Sequence, residues 1–218
     1  MKLGPYELDQ IYTGDARELA KAIPDESVDL IFTDPVYDRI DDYRWLAETG
    51  ARILKLNKAA LVFCGIEWLG ETIGALNHNG LKYRWQLILS NPALIGRHIP
   101  GGFSQYSICL WCERGNGSPK RQIPDLRPWR PNDSTFHWAK DPNFIAYYIE
   151  AFTIQGAIIA DFFVGGGTIP AVCKMLGRHW WASEIDPDTA ERARQRVANT
   201  QPPLFVLQPE QGEFALDT

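Results

Sequence analysis

The chain has 218 residues, of which 45% are hydrophobic and 22% charged, and its formal net charge is −5. A chain of this length and composition can bury a full core, so we expect one folded domain. No apolar run approaches the ~20 residues that a membrane-spanning helix needs, and no positively charged apolar leader begins the chain, so we expect a cytoplasmic protein without a membrane partner.

Apolar runs bounded by turn residues predict a series of strands. They lie at 9–13, 28–33, 59–64, 83–90, 106–112, 157–163 and 179–185. Helical apolar spacing and capping residues predict helices at 15–22, 41–56, 68–77, 141–153, 168–176 and 186–199. This alternation favours an α/β fold with a doubly wound, mostly parallel sheet. Because no helix is evident between 83–90 and 106–112, we expect an antiparallel strand pair there.

The cysteines do not form a metal quartet. Cys109 and Cys112 have a CxxC spacing, but they lie in a predicted strand, where residues three apart face opposite sides of the sheet. Together with the scattered Cys64 and Cys173, they indicate a reduced protein without a metal site.

A glycine-rich loop, 163–168, follows the strand at 157–163 and precedes a helix that Thr168 can cap. Glycines let the backbone pass close to a ligand. Glu184 ends the next strand, where a carboxylate can accept both hydroxyls of a ribose. The phosphate-binding patterns GxGxxG and GxxxxGK[ST] are absent, so a ligand with a ribose but no phosphate, S-adenosylmethionine, fits best. The alternative is that the glycines only make a tight turn and Glu184 caps the helix at 186–199.

A second loop, Asp34-Pro35-Val36-Tyr37, follows the buried strand at 28–33. An exocyclic amine of adenine or cytosine is a poor nucleophile, and acceptors for its N–H groups help as the nitrogen becomes tetrahedral. The Asp34 carboxylate and the Pro35 carbonyl are suitable acceptors. Tyr37 can stack on a base removed from its duplex. Taken alone, however, Asp-Pro before an aromatic residue is a common turn.

Together, these loops make the chain resemble the DNA amino-methyltransferases that modify adenine N6 or cytosine N4. In that family a (D/N/S)PP(Y/F) catalytic loop pairs with an FxGxG cofactor loop, and the order found here resembles the permuted β group. The resemblance implies S-adenosyl-L-methionine as cofactor and Asp34, Pro35, Val36 and Tyr37 as catalytic residues. It implies cofactor contacts at Asp15, Ala16, Asp34, His137, Lys140, Asp161, Phe163, Gly165, Gly167, Thr168 and Glu184.

The resemblance also implies an internal organisation for a single methyltransferase domain at 1–200. The catalytic half is about 9–113, a short target-recognition segment about 114–136 and the cofactor half about 137–199, followed by a tail at 201–218. The chain departs from the family at two positions. Val36 replaces the second proline of the catalytic loop, and Phe162 replaces the proline that usually follows the first acid of the cofactor loop.

Basic residues cluster between Arg97 and Arg130, a stretch that is also rich in proline. We expect DNA contacts from Arg97, Arg121, Arg127 and Arg130. The alternative is a solvated loop. Because the recognition segment is short, we expect a short or loose target sequence, or help from a second subunit in a homodimer.

The expected function is methylation of adenine N6 in DNA, of the kind found in restriction–modification systems, because an aspartate at position 34 leans toward adenine. Cytosine N4 remains open as the target. A nucleic-acid-binding subunit that keeps the fold while Val36 marks a decayed site is a second alternative. Methylation of RNA or of a protein amide is a third.

Overall fold

The computed structural model describes residues 1–77, 80–91, 97–99, 102–129 and 140–201, with the backbone alone at 97–99 and 103. Its strands are β1 (Lys2–Leu3), β2 (Tyr6–Glu7), β3 (Gln10–Thr13), β4 (Val28–Thr33), β5 (Leu54–Cys64), β6 (Lys82–Ser90), β7 (Arg97–Ile99), β8 (Gly102–Ser104), β9 (Tyr106–Arg114), β10 (Leu126–Pro128), β11 (Ile158–Asp161) and β12 (His179–Glu184). Its helices are α1 (Ala16–Leu19), α2 (Ile40–Ile53), α3 (Leu69–Leu76), α4 (Pro142–Phe152), α5 (Thr168–Met175) and α6 (Pro187–Asn199). Short 3-10 turns follow α1 and precede α3.

The main sheet has the strand order β10-β6-β9-β5-β4-β11-β12-β3. All its neighbouring strands are parallel except where β9 pairs antiparallel with β5 and β6. The prediction of a mostly parallel α/β sheet with an antiparallel pair is therefore confirmed. β1 with β2 and β7 with β8 form two small antiparallel hairpins outside this sheet.

Helices cover both faces of the sheet, which explains why β4 is apolar on both sides. Leu30 of β4 packs in one core cluster with Ile145 of α4. Its neighbour Ile31 packs in the other cluster with Leu46 of α2. Cys109 and Cys112 of β9 likewise divide between the two clusters, as their spacing predicted. In the described part of the chain, no helix is both long enough and apolar enough to cross a membrane.

Several elements differ from the sequence-based expectation, and two of them show why. The helix predicted at 41–56 ends at Ile53, because Leu54 pairs with Val28 and begins β5. Leu56, expected on the apolar face of that helix, is 61% exposed. The short strand β10 was not predicted; it extends the sheet by pairing with β6. In both cases pairing with a distant strand decides the local structure, and periodicity alone does not contain that information.

The parallel strands place the candidate site. Because β3, β4, β11 and β12 run in one direction, their carboxyl ends meet at the same side of the sheet, called here the carboxyl edge. The loops that follow β4 and β11 are the two that the sequence singles out, and they are therefore neighbours.

A buried polar contact joins the two central strands at this edge. The Thr33 hydroxyl donates to Asp161 Oδ1 over 2.9 Å and accepts the amides of Phe162 and Phe163 at 3.1 and 3.3 Å. Asp161 has no exposed surface, and no described donor reaches its Oδ2 atom. Burial raises the pKa of Asp161 to about 7, although the bonds from Thr33 and the Phe163 amide act against that rise.

This raised pKa predicts a pH-dependent stability. The unfolded chain releases the Asp161 proton near pH 4, whereas the folded protein holds it until about pH 7. The folded state therefore binds more protons in this window, and stability falls as the pH rises through it. Asp161→Asn removes the titration. We expect it to match the wild type near pH 4 and to exceed its free energy of unfolding by roughly 2–4 kcal/mol at pH 8.

Urea unfolding from pH 4 to 8 measures this difference. Asp188→Asn, which changes an exposed aspartate in the first turn of α6, is the control and should follow the wild-type profile. Parallel profiles for Asp161→Asn and the wild type would contradict the assignment.

The chain after β9 is anchored by a close backbone approach at Gly117. A Cβ at this position would lie 2.3 Å from the Lys58 carbonyl oxygen and 2.9 Å from the Ala59 nitrogen. The Trp111 indole also donates to the Gly117 carbonyl over 3.0 Å. Because the opposing atoms belong to the backbone of β5, any side chain at position 117 would have to displace that backbone.

We expect Gly117→Ala to lower the free energy of unfolding by about 1–3 kcal/mol, the usual effect of overpacking. Gly74→Ala is the matched control, because nothing lies within 4 Å of a Cβ at this position in α3. The control should gain about 0.5–1 kcal/mol from removal of a helical glycine. Urea unfolding followed by circular dichroism compares them, and similar changes for both would contradict the proposed contact.

Candidate active site

The carboxyl edge contains a cavity of about 810 Å³, called here the edge cavity. Six of the predicted cofactor residues line it: Asp15, Ala16, Asp34, Phe163, Gly165 and Glu184. The remaining wall comes from Gly14, Arg17, Val36, Phe162, Ile185 and the residues Asp38, Arg39, Ile40, Asp41, Asp42 and Arg44 around the start of α2. The contribution of α2 was not foreseen, since no motif marks it.

The other predicted cofactor residues lie around this wall. Asp161 is buried behind it, and Gly167 and Thr168 begin α5. Lys140 lies against Asp34 and Tyr37. His137 lies outside the described residues. Which of these residues contact a ligand stays a prediction.

The glycine loop needs glycine for its backbone. Gly165 and Gly167 have φ values of 50° and 75°, in the left-handed region that other residues rarely adopt. A Cβ on Gly167 would also lie 3.0 Å from the Cβ of Ala193 on α6. Gly167 is the N-cap of α5, so the prediction that Thr168 caps this helix is wrong. Thr168 is already helical, and its hydroxyl accepts from Arg196 over 2.9 Å.

Glu184 closes one end of the cavity. Its Oε2 accepts from the Gly165 amide over 2.9 Å and its Oε1 accepts from the Asp186 amide over 3.1 Å. The N-cap of α6 is Asp186, which accepts from the Thr189 amide, so Glu184 is not the capping residue. Each Glu184 oxygen keeps a lone pair that a ribose hydroxyl can use.

At the other end, the loop after β4 presents Asp34 and Val36 to the cavity. Val36 is 49% exposed. Tyr37 turns inward and packs beside the core. A Cβ on Gly65 would lie 2.9 Å from the Tyr37 Cβ, so the absence of a side chain at Gly65 lets Tyr37 fit. In the sequence, Gly65 is marked only as the residue that follows the strand predicted at 59–64.

Lys140 connects two of the predicted catalytic residues. Its ammonium donates to the Tyr37 hydroxyl over 2.6 Å and lies 3.1 Å from Asp34 Oδ2. The second carboxylate oxygen of Asp34 is buried, and no described group donates to it. Burial raises the pKa of Tyr37, and the Asp34 carboxylate raises it further, so the phenol stays neutral. The arrangement supplies a fixed carboxylate acceptor next to an aromatic ring.

Two of the predicted DNA-contacting arginines share one aromatic ring. The guanidinium carbons of Arg121 and Arg127 lie 4.7 and 3.8 Å from the ring centroid of Tyr147 on α4. Stacking of this kind orders a guanidinium while leaving its N–H groups free to bind an anion. Arg130 lies outside the described residues, and only the backbone of Arg97 is described, in β7.

The chain matches one family model and is similar to a known methyltransferase. A family model described as DNA methylase matches residues 77–195. The type II methyltransferase M.BamHI of Bacillus amyloliquefaciens is 25% identical over 255 aligned positions, which cover 91% of this chain. The chain spans 60% of the length of that relative.

Solved structures share the fold. A crystal structure of the M1.HpyAVI–SAM complex is 22% identical, with a TM-score of 0.74 over 86% of this chain and 98% of that chain. The PvuII DNA methyltransferase, which is cytosine-N4-specific, is 16% identical, with a TM-score of 0.76 over 89% of this chain and 90% of its own. The family model spans more than half of the chain, and on that ground the protein belongs to the DNA methylase family, as the paired loops predicted.

Proposed function

We propose that this protein is an S-adenosylmethionine-dependent DNA methyltransferase that transfers a methyl group to the exocyclic N6 amine of adenine within a short target sequence. One observation carries the proposal. Asp34, Gly165 and Glu184 line the same cavity. Asp34 accepts hydrogen bonds from the target amine, and Glu184 and Gly165 bind the methyl donor. A methyl group can pass between the two sites without leaving this cavity.

The residues of the edge cavity fit S-adenosylmethionine. Glu184 has lone pairs for the ribose hydroxyls, and Gly165 allows close approach of the backbone. The wall carries six acidic side chains (Asp15, Asp34, Asp38, Asp41, Asp42 and Glu184) against three arginines (Arg17, Arg39 and Arg44). This excess favours a ligand with positive charge. When bound, S-adenosylmethionine supplies a methyl group activated by a sulfonium.

The chain's own residues prepare the amine. Asp34 and the Pro35 carbonyl accept its two N–H groups and so direct the nitrogen lone pair toward the donor. One oxygen of Asp34 is buried without a hydrogen-bond partner, which costs about 1–3 kcal/mol. An N–H group of the amine that reaches this oxygen removes that cost. Tyr37 stacks on the base, which must leave its duplex to enter. Relief of the unpaired oxygen therefore helps to offset the cost of extruding the base.

Adenine is favoured over cytosine by the aspartate at position 34. The structurally similar PvuII enzyme is cytosine-N4-specific, so N4 methylation of cytosine is the second candidate. The exposed Val36 in place of a proline keeps a third candidate, a DNA-binding subunit with a weakened site.

The segment at about 114–136 is proposed as the target-recognition part, between a catalytic half at about 9–113 and a cofactor half at about 137–199. Its β10 runs parallel to β6, and β6 runs in the direction of β4, so β10 also ends at the carboxyl edge. Arg127 in β10 therefore lies toward the side of the molecule on which the base enters, and Arg121 shares the Tyr147 ring with it. A homodimer is one way in which so short a segment gains further DNA contacts.

Asp34→Ala tests the assigned acceptor. Removing it should lower methyl transfer about 10²–10³-fold, as does loss of one preorganised polar contact in other enzymes. The affinity for S-adenosylmethionine should change less than about 2-fold. The assay incubates the protein with labelled donor and unmethylated genomic DNA, and mass spectrometry of the nucleosides identifies the product. Calorimetry gives the donor affinity.

Asp25→Ala is the matched control, since this exposed aspartate lies before β4 at the opposite edge and pairs with Arg52. It should keep wild-type activity. A product of N4-methylcytosine would replace the adenine assignment. Equal losses of transfer and donor affinity in Asp34→Ala would refute the role of Asp34. No methylated base from a wild type that binds donor and DNA would favour the DNA-binding subunit.

The arginine pair predicts a salt-dependent DNA affinity. Each phosphate contact contributes about 0.9 to the slope of log K against log salt concentration. If both guanidinium groups bind phosphate, the double variant Arg121→Gln/Arg127→Gln should lower that slope by about 2, whatever the DNA sequence. Fluorescence anisotropy with DNA at several salt concentrations measures it. Arg192→Gln on α6, which removes one arginine elsewhere, is the control, and a loss of about 1 from the slope in that variant would count against specific contacts.

A further inference from the structure

We propose that Lys140 is a positioning residue that holds the Asp34 carboxylate and the Tyr37 ring in register for the target amine. This assignment rests on the proposed function and differs from the donor contact that the family resemblance implies for Lys140. It follows from where the lysine ammonium lies, what surrounds it and what it leaves free.

The ammonium lies in a cage made by a carboxylate, a hydroxyl and a ring. It is 3.1 Å from Asp34 Oδ2, 2.6 Å from the Tyr37 hydroxyl and 4.9 Å from the ring centroid of Phe63. The Lys140 and Asp34 side chains are only 16% and 25% exposed. Because the pair is largely shielded from solvent, it is screened less than a surface ion pair and can fix the geometry of both partners.

The Lys140 ammonium does not cover the face of the Tyr37 ring. The ammonium lies 5.2 Å from the Tyr37 ring centroid but 2.6 Å from its hydroxyl oxygen. It therefore lies beyond the hydroxyl end of the ring, close to the ring plane. Gly65 packs against the Cβ, Cγ and Cδ2 atoms at the other end of the same side chain. Tyr37 is thus held at both ends, and a stacked base does not have to displace Lys140.

The lysine is anchored on a rigid element. It immediately precedes Asp141, a buried residue whose side chain accepts the Asn143 amide and caps α4. The next turn of α4 buries Phe144 and Ile145 in the core. The side chain therefore connects a fixed helix start to the loop after β4, which has an exposed tip at Val36.

Lys140 reaches Asp34 from outside the wall of the edge cavity. It does not belong to the wall of the edge cavity, whereas Asp34 does. α4 packs in the core cluster on one face of the sheet, and α2, which helps to line the edge cavity, packs in the cluster on the other face. Asp34 lies between them, with one oxygen bonded to the ammonium. A small rotation of this carboxylate would misalign the amine, and misplacements of about 1 Å can cost about 10²-fold in rate.

The test compares Lys140→Met, Lys140→Arg, Tyr37→Phe and the double variant Lys140→Met/Tyr37→Phe with the wild type. Single-turnover transfer is measured at saturating donor and DNA, and calorimetry gives the donor affinity. Lys140→Met should slow transfer about 100-fold with a change in donor affinity below about 2-fold. Lys140→Arg, which keeps the charge, should recover to within about 10-fold of the wild type. The double variant should be no more than about 2-fold slower than Lys140→Met. The reason is that both changes remove the same contact, the one between the Lys140 ammonium and the Tyr37 hydroxyl.

Lys174→Met is the control for losing a hydrogen-bonded lysine elsewhere. Lys174 donates to the carbonyls of Val197 and Ala198 at the end of α6, and its loss should leave transfer unchanged. A donor affinity that falls in step with the rate of Lys140→Met would overturn the proposal in favour of donor binding. Multiplicative losses in the double variant would overturn it as well.

A failure of the proposed function is separable from a failure of this inference. If the wild type transfers no methyl group, urea unfolding of the wild type, Lys140→Met, Tyr37→Phe and the double variant still measures the coupling between Lys140 and Tyr37. The inference requires that the unfolding equilibrium constants of the double-mutant cycle depart from independence by about 5-fold or more. Independent effects would refute it regardless of activity.

Discussion

The parallel pairing of β4 with β11 is the constraint on which the candidate site depends. It brings Thr33 within hydrogen-bond distance of Asp161, although 128 residues separate them in the chain. Each strand is followed directly by one of the two functional loops. The shared cavity of Asp34 and Gly165 is therefore a consequence of strand pairing, and neither loop could form it alone. The buried Thr33–Asp161 contact also fixes the two strand ends relative to each other, which a methyl transfer across the cavity requires.

The sequence predicted the elements whose boundaries are marked by local chemistry. β4 occupies the predicted residues, and α4 and α6 begin after Asp141 and Asp186 as their caps indicate. The features that it missed depend on contacts between distant parts of the chain. Leu54 follows its partner Val28 into β5, and β10 forms because β6 lies beside it. No local pattern records either pairing.

The same division applies to the site. The paired loops and Glu184 were predicted, because strand ends and glycines are visible in the sequence. The contact of Lys140 with Asp34 spans the fold, and the space left by Gly65 has meaning only once Tyr37 is in place. Phe162, which departs from the family pattern, also finds its reason in packing: its ring is buried between Trp45 and Trp181, at centroid distances of 5.2 and 5.5 Å. An aromatic side chain here fills the core where the family has a proline.

The rigidity of the loop at 34–37 does not have to come from a second proline. A proline stiffens a loop by restricting one backbone angle at its own position. Here the restraints act on the residues around Val36. Asp34 follows Thr33, whose hydroxyl is hydrogen-bonded to Asp161 at the end of β11, and Tyr37 is held between Gly65 and Lys140. Val36 itself is half exposed and makes up part of the cavity wall. The functional groups lie on either side of it, so tertiary contacts can hold them while the intervening residue stays free to vary. The cation that provides one of these restraints lies two residues before α4, the helix whose Tyr147 stacks with the two arginines. One rigid helix therefore supports both the proposed amine site and the proposed DNA contacts.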